Sequence, residues 1–425
     1  MKKIISAFAL LLFMFSVHAQ KTILHCGSLI DCISNEAQKE MTIVVDGGKI
    51  ISVEKGYKSP SGSDKVIDLK NKTVLPGLMD MHVHLEFESR KGGSIDQFTM
   101  NPADYAFNSV VFSERTLMAG FTTVRDLGGS GVNISMRNAI NSGKIKGPRI
   151  FTAGKSISGT GGHMDPTNGF CEDLMGDPGA KDGVANGVDD CRKAVRQQYK
   201  NGADLIKIAS TGGVLSTAKD GSAPQYSEEE IKAIVQTAKD LGMNVACHAH
   251  GAEGMKRAIH AGVISIEHGT LMDDEVVALM KQYGTFYVPT ITAGKSVADS
   301  SKIPGFYPDI VVPKAQFIGP KIQGTFAKAY KAGVKIAFGT DAGVYKHGKN
   351  AIEFQYMVEA GMPVMEAIKS ATVTSSQLLG ISDKVGTIQI GKLADIIAVD
   401  ENPLTDIKTL MNVKFVMKEG IVYKQ

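Results

Sequence analysis

The sequence predicts an α/β protein in which a TIM (β/α)8 barrel is accompanied by a small β domain. Residues 76–387 repeat a short apolar strand followed by a helical stretch about eight times, which is the pattern of a TIM barrel. Residues 20–75 and 388–425 instead alternate strand patterns with turn signals, so one β layer built from both ends of the chain is the simplest arrangement. A doubly wound open sheet is the alternative, but no Gly-x-Gly-x-x-Gly turn follows the first strand of the middle region.

The first 19 residues have the pattern of a secretory signal peptide. Lys2 and Lys3 precede an apolar run that ends at Phe15, and Val17-His18-Ala19 follow it. We therefore predict cleavage after Ala19 and an exported protein, either periplasmic or secreted. An N-terminal membrane anchor is the alternative, but it needs about 20 apolar residues, and this run is shorter.

The composition excludes several classes of protein. The 425 residues are 43% hydrophobic, as in a globular protein with a substantial core. The formal net charge of +3 gives no indication of nucleic-acid binding. No membrane segment is expected once the signal peptide is removed, and the sequence leaves oligomeric state open, so a homo-oligomer is compatible with it.

Export makes disulfide bonds feasible, and the mature chain has five cysteines. An odd number leaves at least one thiol free. Cys171 and Cys191 bracket a loop rich in glycine and aspartate, so a bond between these two is the preferred pairing. Cys247 lies in an apolar strand pattern and is expected to be a small buried side chain.

The terminal and middle regions each have a predicted set of strands. In the β domain, strands are expected at 22–24, 41–45, 50–53, 66–68, 394–399 and 413–417. In the middle region, the opening strand at 78–84 is followed by strands at 121–125, 149–153, 205–209, 243–248, 263–267, 285–288 and 334–338. Helices are predicted between them, including 227–241, where Ser227 and Glu230 form a capping box, and 273–283.

Metal-compatible side chains follow the predicted strands of the middle region at their carboxyl ends. Side chains alternate along a strand, so His82 and His84 point in the same direction. His248 ends the fifth strand, His268 follows the sixth, and Asp341 follows the eighth. Because a TIM barrel carries its active site at this end of its strands, these residues predict a metal site.

Lys207 lies on the fourth strand of the barrel pattern. Alternation places Leu205, Lys207 and Ala209 on one face, which is the interior in a barrel. A buried ammonium beside a dication would be costly. Carbamylation by carbon dioxide would convert the lysine to an anion able to bridge two cations, whereas an ordinary lysine would have to extend to the rim.

These motifs resemble the amidohydrolase superfamily. The similar segments are 76–84, the histidines at 248 and 268, Gly339-Thr340-Asp341-Ala342-Gly343 and the tail 391–395. The resemblance implies a distorted TIM barrel with a β-sandwich domain from both termini. It also implies two divalent metal ions: His82, His84 and Asp341 hold one, His248 and His268 hold the other, and carbamylated Lys207 with a hydroxide bridges them. Nitrogen and oxygen ligands without thiolate favour zinc, with manganese or cobalt as alternatives.

The resemblance also implies a reaction. In binuclear members, metal-activated water attacks a polarised carbonyl, and Asp341 would transfer its proton to the leaving amine. Residues 202–213 are most similar to the branch of Xaa-Pro dipeptidases (prolidases) and carboxypeptidases that release the C-terminal amino acid from dipeptides or N-acyl amino acids. Deamination is disfavoured, because Gly251 replaces the glutamate that deaminases carry three residues after the fifth-strand histidine.

Other functions remain alternatives. The same chemistry serves lactonases, esterases and phosphotriesterases, and imidazolonepropionases are neighbouring cyclic amide hydrolases, although Lys207 and the signal peptide disfavour them. A non-catalytic metal-binding barrel is a further alternative. The resemblance implies that Tyr226 donates to the developing oxyanion; the alternative is a loop tyrosine that packs on the following helix. His163 and His250 are predicted to contact or orient the substrate. No arginine or lysine near a strand end stands out as a carboxylate-binding residue.

Overall fold

The structure is a computed structural model and describes residues 20–425, so the predicted signal peptide lies outside the described residues. The strands in this range are β1 Thr22–Leu29, β2 Gln38–Asp46, β3 Lys49–Lys55, β4 Lys65–Pro76, β5 Leu78–Val83, β6 Phe121–Asp126, β7 Arg149–Thr152, β8 Ile206–Ala209, β9 Val245–Gly251, β10 Ser265–Leu271, β11 Phe286–Val288, β12 Ile396–Val399, β13 Phe415–Lys418 and β14 Ile421–Lys424. The α-helices are α1 Asp96–Thr99, α2 Pro102–Met118, α3 Val132–Asn141, α4 Glu172–Met175, α5 Gly187–Asn201, α6 Glu228–Asp240, α7 Ala252–Ala261, α8 Asp274–Tyr283, α9 Ile291–Ser300, α10 Val312–Ile318, α11 Ile322–Lys331, α12 Ile352–Glu359, α13 Val364–Lys369 and α14 Ser375–Leu379.

Strands from both ends of the chain form one seven-stranded sheet. Its order is β14-β13-β12-β4-β1-β2-β3, so the C-terminal strands join the N-terminal ones where β12 pairs antiparallel with β4. Leu24, Ile43, Ile67, Ile396 and Phe415 pack into a hydrophobic core that belongs to this sheet. The expected β layer from both termini is therefore present, while the domain limits at 75/76 and 387/388 and the sandwich arrangement stay predictions.

The strands of the middle region pair in parallel and in sequence order. One sheet contains β5-β6-β7 and another β8-β9-β10-β11. Bridges between Ile157 and Ile208 and between Tyr287 and Ile336 extend the two sheets. Met81 N of β5 donates to Phe338 O, so the segment that contains Ile336 is hydrogen-bonded to β5, the first strand of the series. The carboxyl ends of these strands thus meet at one edge.

The predicted eighth strand, 334–338, differs from expectation. It forms a single bridge with β11 and is not a regular strand. The reason lies on the side facing β5: Phe338 O accepts from Met81 N, but Phe338 N donates to Ser370 O outside the strands, so the pairing with β5 is not continued. The segment nevertheless lies between β11 and β5 and leads directly to Asp341.

The predicted helices at 227–241 and 273–283 are present as α6 and α8. Ser227 and Glu230 form the expected capping box at the start of α6, and the Asp273 side chain accepts from Val276 N at the start of α8. Apolar residues of α6 such as Ile231 and Ile234 are buried in the main core with Ile206 and Ile208 of β8. This packing fixes the strand that carries Lys207.

The predicted disulfide bond is wrong: all five cysteines are free thiols. Cys191 is fully buried in α5 among core residues, whereas Cys171 is exposed before α4. The core packing of α5 holds the Cys191 thiol away from the surface loop. Cys247 is buried, as expected. Within residues 20–425, no helix is both long and apolar enough to span a membrane.

Candidate metal and active site

The strand ends bring the predicted histidines and Asp341 into one cluster. The rings of His82 and His84 have centroids 5.4 Å apart, His82 and His268 are 4.9 Å apart, and His248 and His268 are 4.6 Å apart. Asp341 Oδ1 lies 3.5 Å from His82 Nε2 and 3.3 Å from His84 Nε2. The potential ligand atoms of His82, His268 and Asp341 all lie within 4.8 Å of one another.

Hydrogen bonds leave one nitrogen of each of these four imidazoles available to a ligand. His84 Nδ1 lies 2.7 Å from Gly128 O, and His248 Nε2 lies 3.0 Å from Gly212 O. A carbonyl only accepts, so these two nitrogens carry the protons and the opposite nitrogens have free lone pairs. His82 Nδ1 is similarly held by Glu267 at 3.0 Å, and His268 Nδ1 by the hydroxyl of Thr290 at 2.7 Å. This is how metal-binding histidines are oriented.

The surroundings keep three of the four imidazoles neutral. Burial lowers the pKa of His82, His248 and His268 well below 6.5, and neighbouring cationic groups lower it further. Burial also acts to lower the pKa of His84, but the carboxylate of Asp341, with Oδ1 3.3 Å from His84 Nε2, outweighs burial and raises it. Neutral imidazole is the form that binds metal ions.

The backbone is strained at two of the clustered residues. His268 and Asp341 have φ values of 69° and 58°, in the left-handed region that non-glycine residues rarely adopt. Such a conformation costs about 1–3 kcal/mol per residue and persists only where the surrounding structure holds it. Here Asp341 N donates to His82 O at 2.7 Å, and Tyr287 Oη donates to His268 O at 2.8 Å. These bonds aim both side chains at the cluster.

Two polar atoms at the cluster lack protein partners. Lys207 is fully buried, and neither its Nζ nor Asp341 Oδ1 has a hydrogen-bond partner among the described residues. Burial lowers the pKa of Lys207 to about 8, despite the nearby carboxylates of Glu267 and Asp341. An unpaired buried ammonium is costly, so the site fits an additional group at this position. Four imidazoles, a carboxylate and this lysine suit divalent metal ions.

Sequence reasoning missed a buried ion pair beneath the cluster. Arg125 and Glu267 are almost completely buried, and Arg125 Nη2 donates to Glu267 Oε1 at 2.8 Å. Arg125 Nε also donates to Met81 O at 2.7 Å and Nη1 to Ser265 Oγ at 3.0 Å. Glu267 thus links the arginine to His82. Glu267 directly precedes His268 and lies on the same face of β10 as Ser265. This position is the feature of the sequence from which its role could have been predicted.

A cavity of about 740 Å³ opens onto the cluster. His82, His84, His248, His268 and Asp341 line it. His163 and His250 line it as well, so both are placed where they can contact a substrate. The His163 ring lies 4.2 Å from that of His248, and His250 Nδ1 lies 3.0 Å from Thr270 Oγ1. Burial lowers the pKa of both His163 and His250 to about 3.

The structure does not bring Tyr226 to the cavity. Its side chain is buried, and its hydroxyl donates to Ala185 O at 3.0 Å. Arg257 Nη1 binds the Tyr226 carbonyl at 3.0 Å, so the tyrosine belongs to the packing between the β8–α6 loop and its neighbours. The predicted donation to an oxyanion therefore needs correction, because Tyr226 is not among the residues that line the cavity and its hydroxyl is already engaged by Ala185 O.

Comparison with known proteins agrees with this geometry. Residues 73–422 match the family described as "Amidohydrolase family". Ochratoxinase of Aspergillus niger is 32% identical over 437 residues, covering 96% of this chain and 87% of that protein. A crystal structure of a Xaa-Pro dipeptidase with bound methionine in the active site is 55% identical, with a TM-score of 0.93 over 96% of this chain and 100% of that one. A prolidase complexed with N-methylphosphonate-L-proline is 32% identical, with a TM-score of 0.87 over 96% and 100%.

Proposed function

The chain belongs to the amidohydrolase family, a family of hydrolases acting on amide bonds, and from this premise we propose that it is a binuclear metallopeptidase. It would release the C-terminal amino acid from dipeptides, including Xaa-Pro dipeptides, or from N-acyl amino acids. The observation that carries this proposal is Lys207 Nζ, buried without a partner beside neutral imidazoles. As a carbamate, this lysine would be an anionic ligand shared by two cations.

The proposed ligands follow from the free nitrogens of the cluster. His82 and His84 through Nε2, together with Asp341, would hold one ion, and His248 through Nδ1 with His268 through Nε2 would hold the second. We propose zinc on the basis of the nitrogen and oxygen ligand set. Two such ions supply Lewis acidity and lower the pKa of water. The ring of parallel strands that presents the ligands corresponds, in this proposal, to a distorted TIM barrel.

Asp341 is the proposed proton carrier. Its Oδ1 lies between His82 and His84, and its strained backbone fixes the carboxylate at the mouth of the strands. From there it would accept a proton from the attacking water and deliver it to the leaving nitrogen. His163 and His250, both neutral and facing the cavity, would hydrogen-bond the substrate.

The similar proteins support an amide or peptide substrate. The 55% identical neighbour is a Xaa-Pro dipeptidase that holds methionine in its active site, and the 32% identical prolidase holds an analogue containing L-proline. An amino acid with a free carboxylate is common to both. Imidazolonepropionase of Fusobacterium nucleatum is more distant, at 24% identity.

The proposal is tested by incubating zinc-loaded protein with a dipeptide library and a panel of lactones, esters and phosphotriesters. We expect release of amino acids from dipeptides or N-acyl amino acids, at a rate that a chelator abolishes. Turnover confined to the lactone and ester panel would replace the peptidase assignment. No turnover of either set would instead support a non-catalytic binding protein.

We also propose that the protein is exported, on the basis of the N-terminal sequence pattern alone. Mass spectrometry of the mature protein from its native host should find Gln20 at the N-terminus. A cytoplasmic protein that retains residues 1–19 contradicts this proposal.

A further inference from the structure

The two sides of the cavity differ in chemistry. Lys155 is the only lysine or arginine among the described residues that line it. Its Nζ lies 3.6 Å from Asp182 Oδ1, beyond normal hydrogen-bond distance, and about a third of each side chain is exposed. A partly exposed pair at this separation is weak. The Lys155 ammonium is therefore available to a second anion.

The loop that carries Lys155 packs against the loop that holds His84. It follows β7, and the next residue, Ser156, donates from Oγ to Leu127 O at 2.9 Å. A Cβ on Gly128 would lie 2.2 Å from Ser156 Oγ, so this loop packs directly against the β6 loop. Gly128 O in turn accepts the hydrogen bond of His84 Nδ1 at 2.7 Å. A short series of contacts thus joins the loop of Lys155 to His84, and both side chains line the same cavity.

The opposite side of the cavity is apolar. We call it the apolar wall; it consists of Val214, Leu215, Ala293, Val297, Ala315 and Ile318. Two of these residues, Ala293 and Val297, lie on α9 near the His268 end of the cluster, because Thr290, which holds His268 Nδ1, directly precedes that helix. The parallel strands pair in the order β7, β8, β9, β10 and β11, so β11 is the fourth strand after β7. Lys155 follows β7 and α9 follows β11, and the two therefore lie on opposite sides of the circle of strands.

A buried lysine holds the apolar wall together. Lys314 of α10 donates from Nζ to the carbonyl oxygens of Gly213, Ser216 and Ala218, at 3.2, 2.5 and 2.6 Å. These bonds fasten the loop containing Val214 and Leu215 to the helix that carries Ala315. The Lys314 ammonium is engaged by carbonyls and, unlike Lys155, does not line the cavity. The wall is therefore a built surface and offers the substrate no charge.

We propose that Lys155 binds the free carboxylate of the departing amino acid while the apolar wall receives an apolar group on the acyl side of the scissile bond. This rests on the proposed function and narrows it to a carboxypeptidase-type specificity. A carboxylate at Lys155 and a carbonyl at the cluster place the acyl group towards α9. Substrates blocked at the C-terminus would leave Lys155 with only its weak pairing to Asp182, which also lines the cavity, and polar acyl groups would be desolvated at the wall without partners.

The experiment measures binding to the zinc-loaded protein. The probes are N-hexyl-L-leucine and its primary amide, which lack a carbonyl at the scissile position and are not cleaved there. We expect the wild-type protein to prefer the acid and Lys155→Met to weaken acid binding by about 10- to 100-fold. Amide binding should change less than about 2-fold. Lys155→Arg, which keeps the charge, should retain most of the preference, and Lys181→Met, an exposed neighbour outside the cavity, should leave it intact.

A second arm tests the wall. In the wild-type protein, each methylene buried against the wall should increase binding affinity by about 4-fold, so the N-hexyl probe should bind more tightly than the N-methyl probe. Val297→Ser should reduce this difference in affinity. The proposed role of Lys155 is overturned if the wild-type protein binds the acid no more tightly than the amide, or binds neither probe. It is also overturned if Lys155→Met weakens binding of the acid and of the amide equally. Failure of the proposed function is separate, since it appears as absent turnover while the acid preference persists.

Discussion

His82 Nδ1 lies 3.0 Å from Glu267 Oε2, and the other oxygen of that carboxylate accepts from Arg125 Nη2 at 2.8 Å. Glu267 therefore has two functions in the interior: it pairs with a buried guanidinium, and it fixes the proton of His82 on Nδ1. The free lone pair of His82 then lies on Nε2, facing Asp341. A histidine held this way is a better metal ligand, because the carboxylate increases its basicity.

Glu267→Gln should weaken metal binding at the His82 side. Loss of a carboxylate behind a ligating histidine typically reduces metal affinity about 10- to 100-fold. Metal content after dialysis against graded chelator concentrations measures this, with circular dichroism as the check on folding. Glu253→Gln is the matched control, because Glu253 is an exposed glutamate paired with Arg257. Equal metal affinity in wild type and Glu267→Gln would contradict the orienting function.

Lys207 should carry a carbamate in the metal-loaded protein. Its Nζ is buried and has no hydrogen-bond partner within residues 20–425. Carbon dioxide forms a C–N bond with a neutral amine, and loss of one proton from that nitrogen to solvent leaves an anion that would suit two cations. Growth or exchange with 13C-bicarbonate should give a carbamate carbon signal in NMR spectra, and Lys207→Arg should lack it. A wild-type protein with one metal ion per chain and no such signal would identify a mononuclear hydrolase instead.

Asp341→Asn should separate proton transfer from metal binding. If Asp341 carries the proton, kcat should fall about 10²- to 10⁴-fold, whereas metal content should change little because three or more other ligands remain. Metal content and kcat should be measured on the same preparation. Parallel large losses of both would mean that Asp341 acts mainly as a ligand.

The convergence of the metal site was predictable because strand order determines it. His82, His248 and His268 lie towards the carboxyl ends of three separate parallel strands, Asp341 follows the segment 334–338 between β11 and β5, and parallel strands present their carboxyl ends at one edge. Their alternation and spacing were visible in the sequence.

Tyr226 was not predictable in the same way. The orientation of a loop side chain depends on contacts such as the bond from Tyr226 to Ala185 O, and the periodicity of the sequence does not predict such contacts.

The buried partners and loop residues show the limit of pattern reading. Glu267 lies on a predicted strand, but its pairing with Arg125 joins β10 to β6 across the interior, and sequence spacing does not reveal contacts of that kind. Lys155 follows β7 by three residues, and only the packing of its loop against Gly128 places it at the cavity. Cys191 shows the reverse case, because its helix faces the core and the expected disulfide partner is out of reach.

Glu353 gives a stability prediction that is independent of metal. It is fully buried and accepts from Ile291 N at 2.8 Å, Thr292 N at 2.7 Å and Thr292 Oγ1 at 2.6 Å, which fixes the start of α9. Burial raises its pKa from 4.5 to about 7, although these hydrogen bonds act in the opposite direction. The folded state thus holds this proton more tightly than the unfolded state does.

The contribution of this proton to stability is fully present below the unfolded pKa and is lost as pH rises through the folded pKa. Glu353→Gln removes a buried acceptor, so it should lower the free energy of unfolding by about 1–3 kcal/mol. The advantage of wild type over the variant should be larger at about pH 5 than at about pH 8. Urea denaturation at both pH values measures it, and Glu359→Gln, an exposed change in the same helix, is the control. An advantage that instead grows with pH would mean that the three donors stabilise the carboxylate more than burial destabilises it.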